Sequence, residues 1–377
     1  MSRGTIGIVV SGGPAPGINT VIASSVSEAV RRGYRVVGFR HGFKGISDRE
    51  PLPVIPLYPE SVEESRHDGG SILGTARVNP LADASTRRYL EEQFVKHEID
   101  KLIVIGGEGS AFVSYTLGKQ YPELSIVHVP KTIDNDLFLP NQHPSFGFET
   151  ARFVGTNILN TLITDAKTCQ RWFIVTSMGR KAGFLALGLG IASGAISTLI
   201  PEEFADDRVS IEELTDNVFR TMEKSVLGGR DYGVIILAEG IIDVLKTEGC
   251  RELEECPRDE IGRIKYADLE IGDLLLPRIR ERCVANGRPV VVNTKNIGYE
   301  LRCHHPVSFD IEYTTFLGFG AVRLLDEGRK SVMVTRDFDR ISFQSLESML
   351  DETGRMKSRT VDLDSDLYRA ARSFMVR

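Results

Sequence analysis

An α/β fold with mainly parallel sheets is what this sequence predicts, and three observations predict it. Apolar runs of strand length alternate with amphipathic helical stretches from the first residues, the pattern of a parallel sheet flanked by helices. Two of those runs, residues 6–10 and 102–105, pass straight into glycine-rich turns, Ser11-Gly-Gly-Pro-Ala-Pro-Gly17 and Gly106-Gly-Glu-Gly-Ser110. The alternation restarts near Gly147, so a second α/β unit is expected in a chain of 377 residues, which is long enough for two cores.

The elements follow in order. A strand is expected over 4–11. A helix follows over 17–32, with Ile18, Val21, Ile22, Val26 and Ala29 on one face at helical spacing. A strand over 34–39 comes next. Strands over 102–105 and 125–129 bracket a helix near 111–121. The second unit reads as a helix over 148–167, strands over 171–176, 232–237 and 290–292, a helix over 314–326 and a strand over 332–335. Residues 251–265 are charged and polar, an exposed helix or excursion. The apolar run 184–199 is interrupted by Gly188, Gly190, Ser193 and Gly194 and is short for a membrane span, so it reads as a buried helix.

The balance of 52 acidic against 46 basic residues gives a net charge of −6. No broad basic stripe is available, which argues against a nucleic-acid partner. A small anionic substrate stays compatible, because a pocket can be locally basic on an acidic protein. The five cysteines, at 169, 250, 256, 283 and 303, include no CxxC pair and fit a reducing compartment. The apolar strand begins almost at once after Met1. No signal peptide and no membrane span are therefore expected, and a cytoplasmic location is.

Pro130-Lys-Thr-Ile-Asp-Asn-Asp136 is the most informative stretch. Alternate residues of an extended segment project to the same side, which groups Thr132, Asp134 and Asp136 beside Lys131. Glycine turns let backbone amides approach a phosphate, and carboxylates suit a base and a magnesium site. All three motifs sit at strand carboxyl ends, where open α/β sheets bind ligands. The combination is the chemistry of phosphoryl transfer. The turn at 11–17 lacks both the G-x-G-x-x-G spacing and the Gly-Lys-Ser/Thr of other phosphate loops. Ser177-Met-Gly-Arg-Lys-Ala-Gly183 is a plain helix start on one reading; on the other, its amides and guanidinium recognise a phosphate or a sugar. Cys303-His304-His305 suggests a metal, but adjacent side chains of a strand point apart, so a structural role is favoured.

Taken in order, the motifs at 11–17, 70–77, 106–110, 130–136, Met178-Gly-Arg180, Ala238-Glu239-Gly240 and 298–302 make the sequence similar to the phosphofructokinase family over residues 6–325. The resemblance implies two Rossmann-like domains with the active site in the cleft between them. Residues 1–147, completed by 300–335, would bind the phosphoryl donor; residues 148–299, completed by 336–377, would bind the sugar phosphate. Asp134 would be the base for the 1-hydroxyl of fructose 6-phosphate, with Thr132 and Asp136 orienting and polarising the reacting groups. Arg180 and Gly12 would stabilise the transferring phosphoryl group. Gly12, Gly13, Arg40, Arg77, Glu108, Gly109, Ser110 and Lys131 would line the donor site, with Glu108 at Mg2+. Thr132, Asp134, Met178, Gly179, Arg180, Glu239, Lys295, Tyr299 and Arg302 would bind the sugar phosphate, as would Arg171 from a neighbouring subunit of a homodimer or homotetramer.

The sequence departs from the bacterial ATP-dependent pattern at Glu108, which replaces an Asp, at Lys131, which replaces a Gly, and at Tyr299, which replaces a His. Asn293 stands where a second inter-subunit arginine is expected, a role Lys295 would have to take. The donor reading turns on Gly109. Pyrophosphate-dependent members usually carry Asp there, and a glycine leaves room for the α-phosphate of ATP. ATP is therefore the expected donor, with a pyrophosphate-dependent, reversible enzyme as the alternative towards which Pro14 and Tyr299 lean. Less favoured are a catalytically silent regulatory subunit and an enzyme like the NAD or lipid kinases.

Overall fold

The computed structural model describes residues 3–205, 207–256 and 269–376. Its strands, in chain order, are β1 (Thr5–Val10), β2 (Arg35–Phe39), β3 (Val54–Leu57), β4 (Ile99–Gly106), β5 (Ser125–Pro130) and β6 (Trp172–Ser177). Then come β7 (Ser197–Leu199), β8 (Gly233–Ala238), β9 (Val292–Ile297), β10 (Val332–Asp337) and β11 (Arg340–Ser345). The chain divides into two compact units, residues 1–151 with 300–359 and residues 152–299 with 360–377.

The first unit holds a sheet in the order β11-β10-β5-β4-β1-β2-β3. Its five central strands run parallel, while β3 and β11 pair antiparallel at the two edges. Strands buried on both faces need apolar residues throughout, which is why 6–10 and 102–105 read as unbroken runs. On one face Ile6, Ile8, Ile103 and Val127 pack with Ile18, Val21, Ile22 and Val26 of the helix Ile18–Arg31 and with Leu317 and Leu324 of the helix Ser308–Asp326. On the other, Val9, Leu102, Val104 and Ile126 pack with Leu90 of the helix Ala84–Lys96 and Leu117 of the helix Glu108–Gln120.

The second unit holds a parallel sheet in the order β7-β8-β6-β9. Trp172, Ile174, Ile235 and Leu237 meet Leu214, Val218 and Met222 of the helix Ile211–Leu227 and Leu275 and Ile279 of the helix Ile271–Ala285. The last residues are tied in by two backbone contacts. Val361 N–H donates to the Glu202 carboxylate at 2.8 Å, and Val376 N–H donates to the Ile196 carbonyl at 2.9 Å.

Several expectations need correction. Residues 336–359 join the first unit, not the second, because β11 forms a six-pair antiparallel ladder with β10. The apolar run 184–199 is not one helix. The helix Phe184–Ser193 stops at Gly194, whose φ of 70° is left-handed, and the chain re-emerges as β7. The short strand placed at 290–292 is the six-residue β9, displaced towards Ile297 because its polar centre, Asn-Thr-Lys-Asn, hides the strand from a hydropathy reading. The helix Ile271–Ala285 was missed because Pro277 sits inside it. Of the charged segment 251–265, Arg251–Glu254 is helical, and the remainder from 257 lies outside the described residues.

Candidate active site

Strand register brings the first unit's motifs together. Val10 pairs with Ile105, and Gly106 pairs with Pro130. Ser11, Gly107 and Lys131 therefore leave the sheet side by side. They do so where the strand order reverses, because β1 is followed by β2 on one side while β4 returns on the other. Such a switch point opens a crevice beyond the carboxyl ends of the strands. A cavity of about 370 Å³ occupies that place. It is lined by Gly12, Gly13, Arg77, Glu108, Gly109, Ser110, Lys131, Thr132, Asp134 and Asp136, all anticipated from the sequence, and by Arg302.

Each wall has a local cause. The 11–13 turn is pinned by Gly12 N–H donating to Ala76 O at 3.0 Å and by the Thr75 hydroxyl donating to Gly12 O at 2.8 Å, so the 70–77 segment braces it. Gly106 is compelled. A Cβ there would lie 2.4 Å from the Ser110 side chain and 3.0 Å from Ser11 O. At Gly109 a Cβ meets nothing within 4 Å. In the carboxylate motif, Asp134 N–H donates to Thr132 Oγ1 at 3.1 Å. Asn135 takes a left-handed φ of 57°, and its backbone carbonyl accepts from Arg359 Nε at 2.7 Å. Arg359 N–H also donates to Asp136 O at 2.9 Å. The segment after β11 is thus a strut for the carboxylate motif, a role the sequence did not disclose.

Lys131 dominates the electrostatics. It is only 4% exposed, and its ammonium donates to the Gly13 carbonyl. Burial foremost, then the charges of Arg302 and Arg77, lower its pKa to about 8 despite the opposing pull of Asp134 and Asp136. Arg302 stands over Gly13, where an added Cβ would lie 3.0 Å from its Nη2. The resemblance assigns Arg302 to the sugar phosphate; in this unit it is also a wall of the cavity. Arg40 does not line the cavity and lies beyond the end of β2, its backbone N–H bonded to Pro53 O at 2.8 Å.

The second unit gathers the sugar-phosphate candidates in the same way. Ser177 pairs with both Ala238 and Ile297, so Met178, Glu239 and Gly298 emerge abreast at the carboxyl ends of β6, β8 and β9. Gly240 N–H donates to Gly179 O at 3.1 Å, and a Cβ at Gly240 would lie 2.2 Å from Arg180 O. Arg180 faces Asp243 at 3.5 Å, and Tyr299 is 79% exposed. Lys295 lies within β9 opposite Val175. Arg171 is not brought to this cluster. It precedes β6, at the amino end of the strand, roughly 20 Å of strand away at ~3.3 Å per residue. There it forks onto Asp165 at 2.6 and 2.7 Å. His305 Nδ1 lies 3.1 Å from His67 O. No group of three His, Cys, Asp or Glu able to hold a metal occurs among the described residues, and no described helix is long and apolar enough to cross a membrane.

With this geometry in place, comparison with known proteins is informative. The phosphofructokinase family model matches residues 5–325. A pyrophosphate–fructose 6-phosphate 1-phosphotransferase of Thermotoga maritima is 41% identical over 99% of this chain and 90% of its own length. One of Naegleria fowleri is 39% identical over 99% and 88%. An ATP-dependent 6-phosphofructokinase of Streptomyces coelicolor is 35% identical over 86% and 88%. Among solved structures, a pyrophosphate-dependent phosphofructokinase from Marinobacter aquaeolei has a TM-score of 0.72 at 19% identity, covering 99% of this chain and 90% of that one, which supports the fold. The two relatives near 40% identity overturn ATP as the favoured donor. The physical reason is that a missing side chain at Gly109 permits a nucleotide without recruiting one. Lys131, Pro14 and Tyr299 carried the lineage signal. On these grounds the chain belongs to the phosphofructokinase family.

Proposed function

We propose that the protein transfers a phosphoryl group from pyrophosphate to the 1-hydroxyl of fructose 6-phosphate, reversibly. The observation that carries this reading is the similarity over 99% of the chain to two enzymes with that name. The cavity supports it chemically. Arg77, Lys131 and Arg302 line a space of about 370 Å³ that also receives the 11–13 and 107–110 turns. Three cations and two glycine turns suit a compact, highly charged diphosphate.

The residues divide the work as follows. Asp134 takes the proton of the sugar hydroxyl as its oxygen bonds to the near phosphorus. The bridging P–O bond breaks, and orthophosphate leaves. Arg180 and Gly12 stabilise charge on the transferring group, joined by Lys131 and Arg302 of the cavity wall, and Thr132 and Asp136 hold the reacting groups in line. Met178, Gly179, Arg180, Glu239, Lys295 and Tyr299 would bind the sugar phosphate. Glu108, Asp134 and Asp136 share the cavity wall without forming a dedicated metal cage, a donor set that fits a magnesium ion carried in by phosphate oxygens. When bound, magnesium would neutralise charge between the phosphates. The test is the reverse direction: fructose 1,6-bisphosphate and orthophosphate should yield fructose 6-phosphate and pyrophosphate. If that mixture stays inert while ATP phosphorylates fructose 6-phosphate, the reading is wrong.

A further inference from the structure

The donor turn rests on a buried histidine that the chemistry above does not use. His128 lies in β5 and is fully buried. Its Nε2 is 2.9 Å from the Gly106 carbonyl oxygen. A carbonyl only accepts, so Nε2 carries the proton. Burial and then the Lys131 charge hold the ring neutral, with a pKa of about 4, which leaves Nδ1 as an acceptor. The Ser114 hydroxyl is 3.2 Å from Nδ1 and 2.9 Å from Ser110 O. That hydroxyl donates to Ser110 O, a carbonyl that can accept both it and the helical amide of Ser114, and it lies within reach of Nδ1. Gly106 O also accepts Lys131 N–H at 2.9 Å. One carbonyl thus serves both the first polar residue of the carboxylate motif and His128.

We propose that His128 is a positioning residue for the phosphoryl donor: through the Gly106 carbonyl it holds the 107–110 turn and Lys131 in one register. The turn's amides, Glu108 and the ammonium then meet the donor as a preformed set. The 107–110 turn and Lys131 both hang on this one carbonyl, so the loss of the clamp is felt first at the donor. The inference rests on the cavity being the donor site, and it holds for either donor.

The test compares His128→Phe, which keeps an aromatic ring but loses the donor N–H, with His128→Gln, whose amide reaches about as far as Nε2. Kinetics use whichever of pyrophosphate or ATP the wild type turns over faster, so a wrong donor assignment leaves this test standing. Misplacement of a reacting group by even 1 Å is costly, so His128→Phe should raise the donor KM or lower kcat by about ten- to a hundredfold. The fructose 6-phosphate KM should stay within about twofold, and His128→Gln should recover most of the loss. Equal effects on both substrates, equal behaviour of the two variants, or no kinetic effect would each overturn the proposal. If His128→Phe does not fold, wild-type protein labelled with 15N-histidine decides. The ring should remain the neutral Nε2–H tautomer from pH 5 to 9 and shift when the faster of the two donors, pyrophosphate or ATP, is added. A titrating ring, an Nδ1–H tautomer or an indifferent signal refutes the clamp.

Discussion

At the scale of single residues, the carboxylate motif was legible because its chemistry is contiguous: Thr132, Asp134 and Asp136 alternate on one extended segment. Arg302 and His128 were not legible in the same way, since their relation to the donor cavity depends on strand register. Lys131 shows what the site costs. Its pKa falls from the usual lysine value to about 8, so the native state releases this proton near pH 8 while the unfolded chain keeps it to above pH 10. The unfolded state then binds more protons across that window, and stability rises with pH through it. Below pH 8 the penalty is fully present, at about 3 kcal/mol. Lys131→Met should therefore unfold no more easily than the wild type at pH 7 and should lack the wild type's gain in stability between pH 8 and 10. Donor binding should weaken by roughly ten- to a hundredfold, the worth of one charge-assisted hydrogen bond. Thermal melts at several pH values, with donor KM, check both halves. A large drop in melting temperature at pH 7 would mean that the bond to the Gly13 carbonyl outweighs the burial.

At the scale of elements, the strands with unbroken apolar runs were readable, and those with mixed polarity were not. β9 carries four polar residues at its centre, and β11 alternates with exposed side chains on a sheet edge. The Ser210–Glu213 capping box before the helix Ile211–Leu227 was a readable start signal that went unused. The donor turn gives the element-scale prediction. Gly106→Ala forces a Cβ against Ser110 and Ser11, so it should destabilise by about 1–3 kcal/mol, the usual range for overpacking. Gly109→Asp enters open space in the first turn of the helix Glu108–Gln120, where a negative charge is favoured. It should leave the melting temperature within a degree or two of wild type and keep pyrophosphate turnover. Comparable destabilisation by both changes would contradict the distinction between a packed and an open glycine.

At the scale of the whole molecule, the two-unit α/β organisation followed from the restart of the strand–helix alternation near Gly147. The partition of the last forty residues did not, because it depends on β11 pairing back onto β10. Arg171 raises the question of assembly. It is forked onto Asp165 at the amino end of β6, whereas Met178, Gly179 and Arg180 lie at the carboxyl end. The family resemblance assigns its substrate contact to the site of a second copy of the chain, which subunit mixing tests. Asp134→Asn removes general-base assistance and should lower turnover by at least about 10²-fold. Mixing Asp134→Asn subunits with Arg171→Ala subunits should restore part of the activity, since some sites then combine an intact Asp134 with an intact Arg171. Verified mixed oligomers with no recovery would place Arg171 outside the site.

The central claim, that this phosphofructokinase draws on pyrophosphate, is tested most directly by one comparison of kcat/KM for pyrophosphate and for ATP. Both are measured at saturating fructose 6-phosphate and magnesium. Pyrophosphate should exceed ATP by at least about a hundredfold, equivalent to about 2.7 kcal/mol of transition-state preference. A ratio near one, or one in favour of ATP, would contradict the account and make the open space at Gly109 the feature that selects the donor.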